Sequence, residues 1–373
     1  MSRTVIPAGD PRAVKIYSGS LSVDVPKESY FVNSMMGSGD DTPYPIMRKD
    51  DLESEAGDLV VYDLSIQMRG APTEGDDVIE GNMESLKFAT DAVYIDQARK
   101  GADTGGRMTR KRTMHDLRNV ARARLTEYFA RFYDELIMMY GAGARGINSD
   151  FIYGLGFTGR ANNPLKAPDP LHIMYGGDAT AKTNLDSADT MTLSVVDRLM
   201  VRARTMGGGT QQVPKIQPVV VNGQSCYVLV ISPYQEYTLR TATGVGGWLD
   251  LQKALSTNNG AKNQIWMGGI GMYNKTVIHT HENVIRFNDY GAGANVPAAR
   301  ALFMGRQALV MAFGNPGNRM SFAWHEESAD HDNRVEISCS TIFGTKKTSF
   351  NVNGTDLDFG VIAVDTAIDN TVG

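Results

Sequence analysis

The sequence predicts a mixed α+β protein, and three observations carry that class. Two runs rich in β-branched and aromatic residues flank a stretch of Gly, Pro and Asp within residues 58–100. Apolar residues then recur at three- and four-residue spacing over 109–140. From residue 192 onward helix-like and strand-like segments alternate, without an internal repeat or a heptad pattern. With 373 residues, 42% of them hydrophobic, the chain can bury a sizeable core in one elaborated domain or in two or three lobes.

Residues 1–57 show little periodicity and culminate in "GSGDDTPYPIMRKDDLESEAGD". A segment of that composition cannot build its own core, so it is expected as an extended arm over a surface that is mostly not its own. Asp50, Asp51, Glu53 and Glu55 give the end of this arm an acidic character. Next, "LVVYDLSIQM" and "ESLKFATDAVYIDQ" read as the two strands of a long ribbon over 58–100. Its polar tip, 69–81, carries Arg69, Glu74, Asp76, Asp77 and Glu80. An isolated ribbon is barely stable in water, so one this long is expected to lie on another surface.

A helix over 109–140 follows, about 48 Å long at ~1.5 Å per residue. Leu117, Ala121, Leu125, Tyr128, Phe132 and Leu136 form its apolar stripe, and "GAGARG" from Gly141 supplies the stop. Residues 107–131 hold seven arginines and a lysine against Asp116 and Glu127, although the chain's formal net charge is -5. Arg110, Lys111, Arg112, Arg118, Arg122 and Arg124 make up this basic face. Residues 141–190 are irregular. Beyond them we expect a helix over 192–205, strands in "QPVVV" and "SCYVLVIS", a helix over 233–241, a strand in "KTVIHTHE" and a helix over 298–314. The tail, with "FAWHEE", "RVEISCSTIFG" and "FGVIAVDTA", reads as strands.

Composition also excludes. Cys226 and Cys339 are too few and too far apart for a disulfide framework and are expected as buried thiols in a reducing compartment. The N-terminal residues lack a basic start followed by an apolar run, and no stretch approaches the roughly 20 apolar residues of a membrane span. A soluble protein made inside the cell is the expectation. Glycine, 39 residues, gathers in clusters that imply sharp turns and long loops.

Three motifs suggest chemistry. "GLGFTG" has the spacing of a dinucleotide-binding loop in Gly154, Gly156 and Gly159, but Pro164, Pro168 and Pro170 forbid the helix that must receive the pyrophosphate. "HTHE" places His279 and His281 on one face of a strand beside Glu282, and "WHEESADHD" clusters His325, Glu326, His331 and Asp332. A metal-dependent enzyme built on these residues is the alternative reading. A nucleophile elbow, a Walker phosphate loop and an H-E-x-x-H motif are absent from the sequence.

The order of arm, ribbon, long helix and mixed lobe resembles the major capsid proteins of tailed bacteriophages, most closely those typified by the N4-like short-tailed phages. The residues that carry the resemblance are 49–88, 94–125, "MYGGDATAKTNLDSADTMTL" over 174–193 and "ALFMGRQALVMAFG" over 301–314. It implies an N-arm (1–57), an E-loop (58–100), a P-domain (101–191) with the spine helix 109–140, an A-domain (192–314) and C-terminal strands returning to the P-domain (315–373). It further implies a non-enzymatic subunit without cofactor, assembling in the host cytoplasm as pentamers and hexamers into an icosahedral shell around double-stranded DNA. A fused helical scaffold is missing from the sequence, so scaffolding, portal and decoration proteins are expected as separate partners, with no membrane involved. In such a shell the basic face has two uses. It pairs with the acidic arm or ribbon tip of neighbouring copies, or it meets packaged DNA without reading sequence. The first is favoured, because a lumen that gripped DNA would resist packaging and ejection.

Overall fold

The computed structural model describes residues 11–39, 41–52, 57–65, 68, 70–86, 88–206, 215–221, 224–242, 269–314, 320–331, 333–352 and 354–372. Helices α1 (Pro11–Glu28) and α2 (Tyr30–Met35) lead into β1 (Met36–Ser38) and β2 (Ile46–Lys49). The ribbon follows as β3 (Leu59–Ser65) and β4 (Phe88–Tyr94), then β5 (Asp96–Gly106), α3 (Arg107–Arg112) and the long α4 (Leu117–Ala142). Short strands β6 (Gly159–Arg160), β7 (Asn163–Pro164) and β8 (Ile173–Tyr175) precede α5 (Leu193–Thr205), β9 (Val219–Val221), β10 (Gln224–Ile231) and α6 (Pro233–Thr241). The remainder is β11 (Gly269–Tyr273), β12 (Thr276–Thr280), β13 (Ile285–Tyr290), β14 (Val296–Met304), β15 (Leu309–Phe313), β16 (Ala323–Ala329), β17 (Arg334–Lys347), β18 (Ser349–Val352), β19 (Thr355–Asp358) and β20 (Val361–Ala367).

Among the described residues most of the strands gather into two large sheets, and β3-β4, β6-β7 and β18-β19 form separate pairs. A six-stranded sheet runs β1-β2-β15-β17-β16 with β5 on the other side of β17, and an eight-stranded sheet runs β11-β12-β10-β14-β20-β8 with β9 and β13 attached. Helix α4 lies in the core they share: Phe129, Phe132, Tyr133 and Leu136 cluster with Phe313 and Phe343 of the first sheet and with Leu302 and Met304 of the second. Its C-terminal half is therefore buried on every side, which is why the stripe broadens into the continuous apolar run "LIMMY". The far face of the second sheet is covered by α5 and α6, whose Val195, Leu199, Met200 and Leu239 pack on Leu229, Ile231, Ala301 and Phe303.

Caps fix the ends of α4. The Asp116 carboxylate accepts from the Arg118 amide at 3.1 Å, and Gly143 closes the helix in the left-handed region at φ 64°. A β-carbon at Gly143 would stand 1.9 Å from the Lys166 carbonyl oxygen, so glycine is required there twice over. The expected single helix over 109–140 is in fact two. Thr113 turns extended, and the Asp116 cap starts a fresh helix, leaving α3 as a separate basic turn. Helix α4 itself is about 39 Å long.

Three further expectations are corrected. The arm is not simply extended, because residues 11–35 form α1 and α2, with Leu21 and Val25 wholly buried and Tyr17 stacked on Trp324 at 5.1 Å. That stripe of 17, 21 and 25 is only three residues long and is diluted by Ser18, Gly19, Ser20 and Pro26, and its partners lie on the chain's own α4 and β16. The expected helix over 298–314 is two strands, β14 and β15, parted at Gly305. Alternate residues of β14 enter different clusters, Leu302 and Met304 toward α4 and Ala301 and Phe303 toward α5. A strand covered on both faces shows a continuous apolar run, which periodicity does not separate from a buried helix. The expected lobe boundary at 314 is crossed in both directions. Strand β15 belongs to the first sheet, whereas β20, buried at every residue, lies between β14 and β8 in the second.

One buried polar node holds the second sheet to α4. Arg300 meets Asp365 through two 2.7 Å contacts, donates to the Ala142 carbonyl at the end of α4 at 2.9 Å, and donates to the Tyr290 hydroxyl at 3.0 Å. Tyr290 in turn donates to Asp365 at 2.7 Å. Replacement of Arg300 by Leu strands a buried carboxylate and is expected to cost about 3–5 kcal/mol. Urea-unfolding midpoints check this, with the Arg300→Leu/Asp365→Leu double variant expected to recover much of the loss.

Candidate functional site

Residues 59–94 build a ribbon whose root is packed and whose far part is bare. Strands β3 and β4 pair from Leu59↔Tyr94 to Ser65↔Phe88. Val60, Tyr62, Ala89 and Val93 point inward and join Met47, Val310, Ala312 and Phe350 on the face of the first sheet turned away from α4. Asp91 secures the root, accepting from the Tyr62 hydroxyl at 2.7 Å and pairing with Lys346. Among the described residues between Ser65 and Phe88 that support ends. Met68, Val78, Ile79, Met83, Leu86 and Phe88 are each more than half exposed. Among them stand Glu74, Asp76, Asp77 and Glu80, also exposed. The tip is thus acidic and apolar together, and its apolar part is one that a complementary surface would cover.

The basic face is partly satisfied within the chain. Arg118 meets buried Glu326 at 2.7 Å, Arg122 reaches Asp24 at 3.5 Å and the Ser20 hydroxyl at 3.1 Å, and Arg124 pairs with Glu127 at 2.5 Å. Arg110, Lys111 and Arg112 lie in α3, where Lys111 and Arg112 are exposed. The acidic groups nominated on the arm are also engaged locally, Asp50 with Arg48 at 3.1 Å and Asp51 with Lys49 at 3.6 Å. Arg69, Glu53, Glu55 and Asp332 lie outside the described residues.

Sequence reasoning missed the groups that seat α2. Asp134, on the most buried part of α4, accepts from the Ser29 hydroxyl at 2.7 Å and from the Tyr30 and Phe31 amides at 3.0 and 3.1 Å. A carboxylate amid "YDELIMMY" was the available signal. Burial pushes its pKa up to about 6. Below Tyr30 and Phe31 sits His281, whose ring centroid is 5.1 Å from both, and burial pulls its pKa down to about 4. The two groups oppose each other. His281 resists the proton that an unfolded chain takes up near pH 6.5, so its contribution is lost as pH falls toward 4. Asp134 binds its proton more readily folded than unfolded, so its contribution grows as pH falls from about 6 toward 3.8. Asp134→Asn is therefore expected to steepen the acid loss of thermal stability between pH 6 and 4, and His281→Gln to flatten it. Melting temperatures across that range measure both.

Among the described residues the chemical motifs do not assemble a centre. His279 shares a hydrogen bond with the Tyr30 hydroxyl, and His281 accepts from the Asn283 amide at 3.1 Å. Glu326 is held by Arg118 and by the Trp324 indole N–H at 3.0 Å. Among the described residues no three His, Cys, Asp or Glu side chains converge as metal ligands. "GLGFTG" forms a turn, with the Phe157 amide on the Gly154 carbonyl, and runs into β6 rather than a helix. Cys226 and Cys339 are free and buried, and burial pushes their thiols up to about 11 and about 12, so neither is poised as a nucleophile. No described helix is long and apolar enough to cross a membrane.

A packed body with an unsupported ribbon suits a protein completed by its neighbours, and comparison with known proteins agrees. A family model described as phage capsid protein matches residues 5–370. The chain belongs to that phage capsid protein family. A chain of the capsid of Ralstonia phage GP4 is 49% identical, with 99% of each chain covered and a TM-score of 0.83. The major capsid protein of Pseudomonas phage KPP25 is 25% identical over 377 residues, 91% of each sequence. A capsid chain of cyanophage Pam1, 22% identical with a TM-score of 0.69 over 92% of this chain and 93% of that one, shares the fold. This capsid protein has the tailed-phage major capsid fold and is a structural, non-enzymatic component of the phage virion.

Proposed function

We propose that the chain assembles as pentamers and hexamers into an icosahedral shell around double-stranded phage DNA, each ribbon lying on a neighbouring copy as an E-loop. The observation that carries this reading is the contrast within the ribbon. Its root is buried on the first sheet, while Val78, Ile79 and Met83 at its tip are 67%, 62% and 73% exposed. A neighbour supplies the missing burial, and many such modest contacts add up through closure of the shell.

Arg118, Arg122 and Arg124 are engaged by the chain's own acids, so the cations left for partners or for DNA are chiefly those of α3. Assembly takes place in the host cytoplasm, with separate scaffolding and portal proteins and, in some shells, decoration proteins. Sedimentation velocity with negative-stain electron microscopy, with and without the neighbouring phage genes, tests the reading. Shells, or rings of five or six subunits, are expected. A monomer under every condition would overturn it.

A further inference from the structure

The peripheral end of the first sheet carries two opposite charge patches side by side. Strands β16, β17 and β5 place Glu327, Glu336 and Asp103 directly opposite one another in register. All three are exposed and stand on the open face of the sheet, since Val335 and Ile337 point to the core. Like charges opposite one another across strands repel. One guanidinium serves the row: Arg334 reaches Asp103 at 3.0 Å and Glu336 at 3.1 Å. Glu327 has no ionic partner among the described residues. Beside the row is an open hollow of about 280 Å³, floored by Gly101 and Ser338 and lined by His325 and Glu327.

The basic patch begins at the same end. Gly106 pairs with Arg334, and the Arg107 amide donates to the Asn333 side chain in the β16–β17 turn at 3.1 Å, which anchors α3 beside the acidic row. Arg107, Lys111 and Arg112 are exposed and have no ion pair among the described residues. Met108 and Met114 next to them are 59% and 99% exposed.

We infer that this end of the sheet is a self-complementary contact between two copies of the chain. A two-fold axis through it sets the acidic row of each copy against α3 of the other, with the methionines covered between them. An isologous contact needs one surface that holds both halves of the match, and neighbouring patches of opposite sign, with Glu327 unpaired on one and Arg107, Lys111 and Arg112 on the other among the described residues, provide it. The inference rests on the shell reading and names a contact separate from the ribbon's.

Charge reversal in the full-length chain tests it. Two variants, Lys111→Glu with Arg112→Glu and Glu327→Lys with Glu336→Lys, are each expected to lower the yield of closed shells at least about tenfold while melting at the wild-type temperature. All four substitutions together restore the opposite-sign match and are expected to restore the shells. Either variant assembling at wild-type yield overturns the contact. So does a folded four-substitution protein that stays unassembled, the result expected if α3 meets an acidic protein or DNA instead. A wild-type chain that never forms shells would count against the shell reading, not against this contact alone.

Discussion

Deletion of residues 69–81 is expected to leave a folded subunit that no longer closes into shells. Folding survives because the pairs from Leu59↔Tyr94 to Ser65↔Phe88, and the cluster of Val60, Tyr62, Ala89 and Val93 on the first sheet, lie outside the deletion. Shortening an exposed loop changes its closure entropy by only about 0.6 kcal/mol per halving of length. Assembly fails because Val78 and Ile79, with Glu74, Asp76, Asp77 and Glu80, go with the tip. An unchanged urea midpoint with loss of shell-sized species in sedimentation is the predicted pair of results. Normal shells from the deleted chain would show that the tip is not a contact.

Phe132→Asp is expected to do the reverse, abolishing the fold before assembly is reached. Phe132 is 4% exposed, with its ring 5.7 Å from that of Tyr153 and 5.8 Å from that of Phe343. Truncation alone of such a ring costs about 3–5 kcal/mol, and an unpaired carboxylate in its place adds several more. The sum rivals the roughly 5–15 kcal/mol that holds a typical protein together. Insoluble protein on expression is the expected readout. Phe132→Leu keeps an apolar side chain there, costs less than the about 3–5 kcal/mol of truncation to alanine, and is expected to remain soluble. A soluble, folded Phe132→Asp chain would mean that this face of α4 is not in the core.

The elements most legible in the sequence are those set by local pattern. The turn-rich stretch between two β-rich runs marked the ribbon, and α6 begins and ends at the residues expected of it, Pro233 and Thr241. The stripe Leu125, Phe132 and Leu136 is buried as its spacing implied. What escaped depends on distant partners. Leu21 and Val25 look unremarkable until α4 and Trp324 lie beneath them, and "ALFMGRQALVMAF" looks helical until α4 covers one face of its two strands and α5 and the ribbon cover the other. Nor does local pattern reveal that Arg118 answers Glu326, two hundred residues on, or that Asp134 seats α2. The same limit explains why a basic helix in an acidic chain suggested partners in other copies when several stand in its own.

The most direct test of the ribbon contact is a cryo-electron microscopy reconstruction of the assembled shell at side-chain resolution. The ribbon of each copy is expected to lie on a neighbour, with Val78, Ile79 and Met83 buried against it. A shell in which the ribbon tip stands free in solvent, or folds back on its own subunit, would contradict that contact.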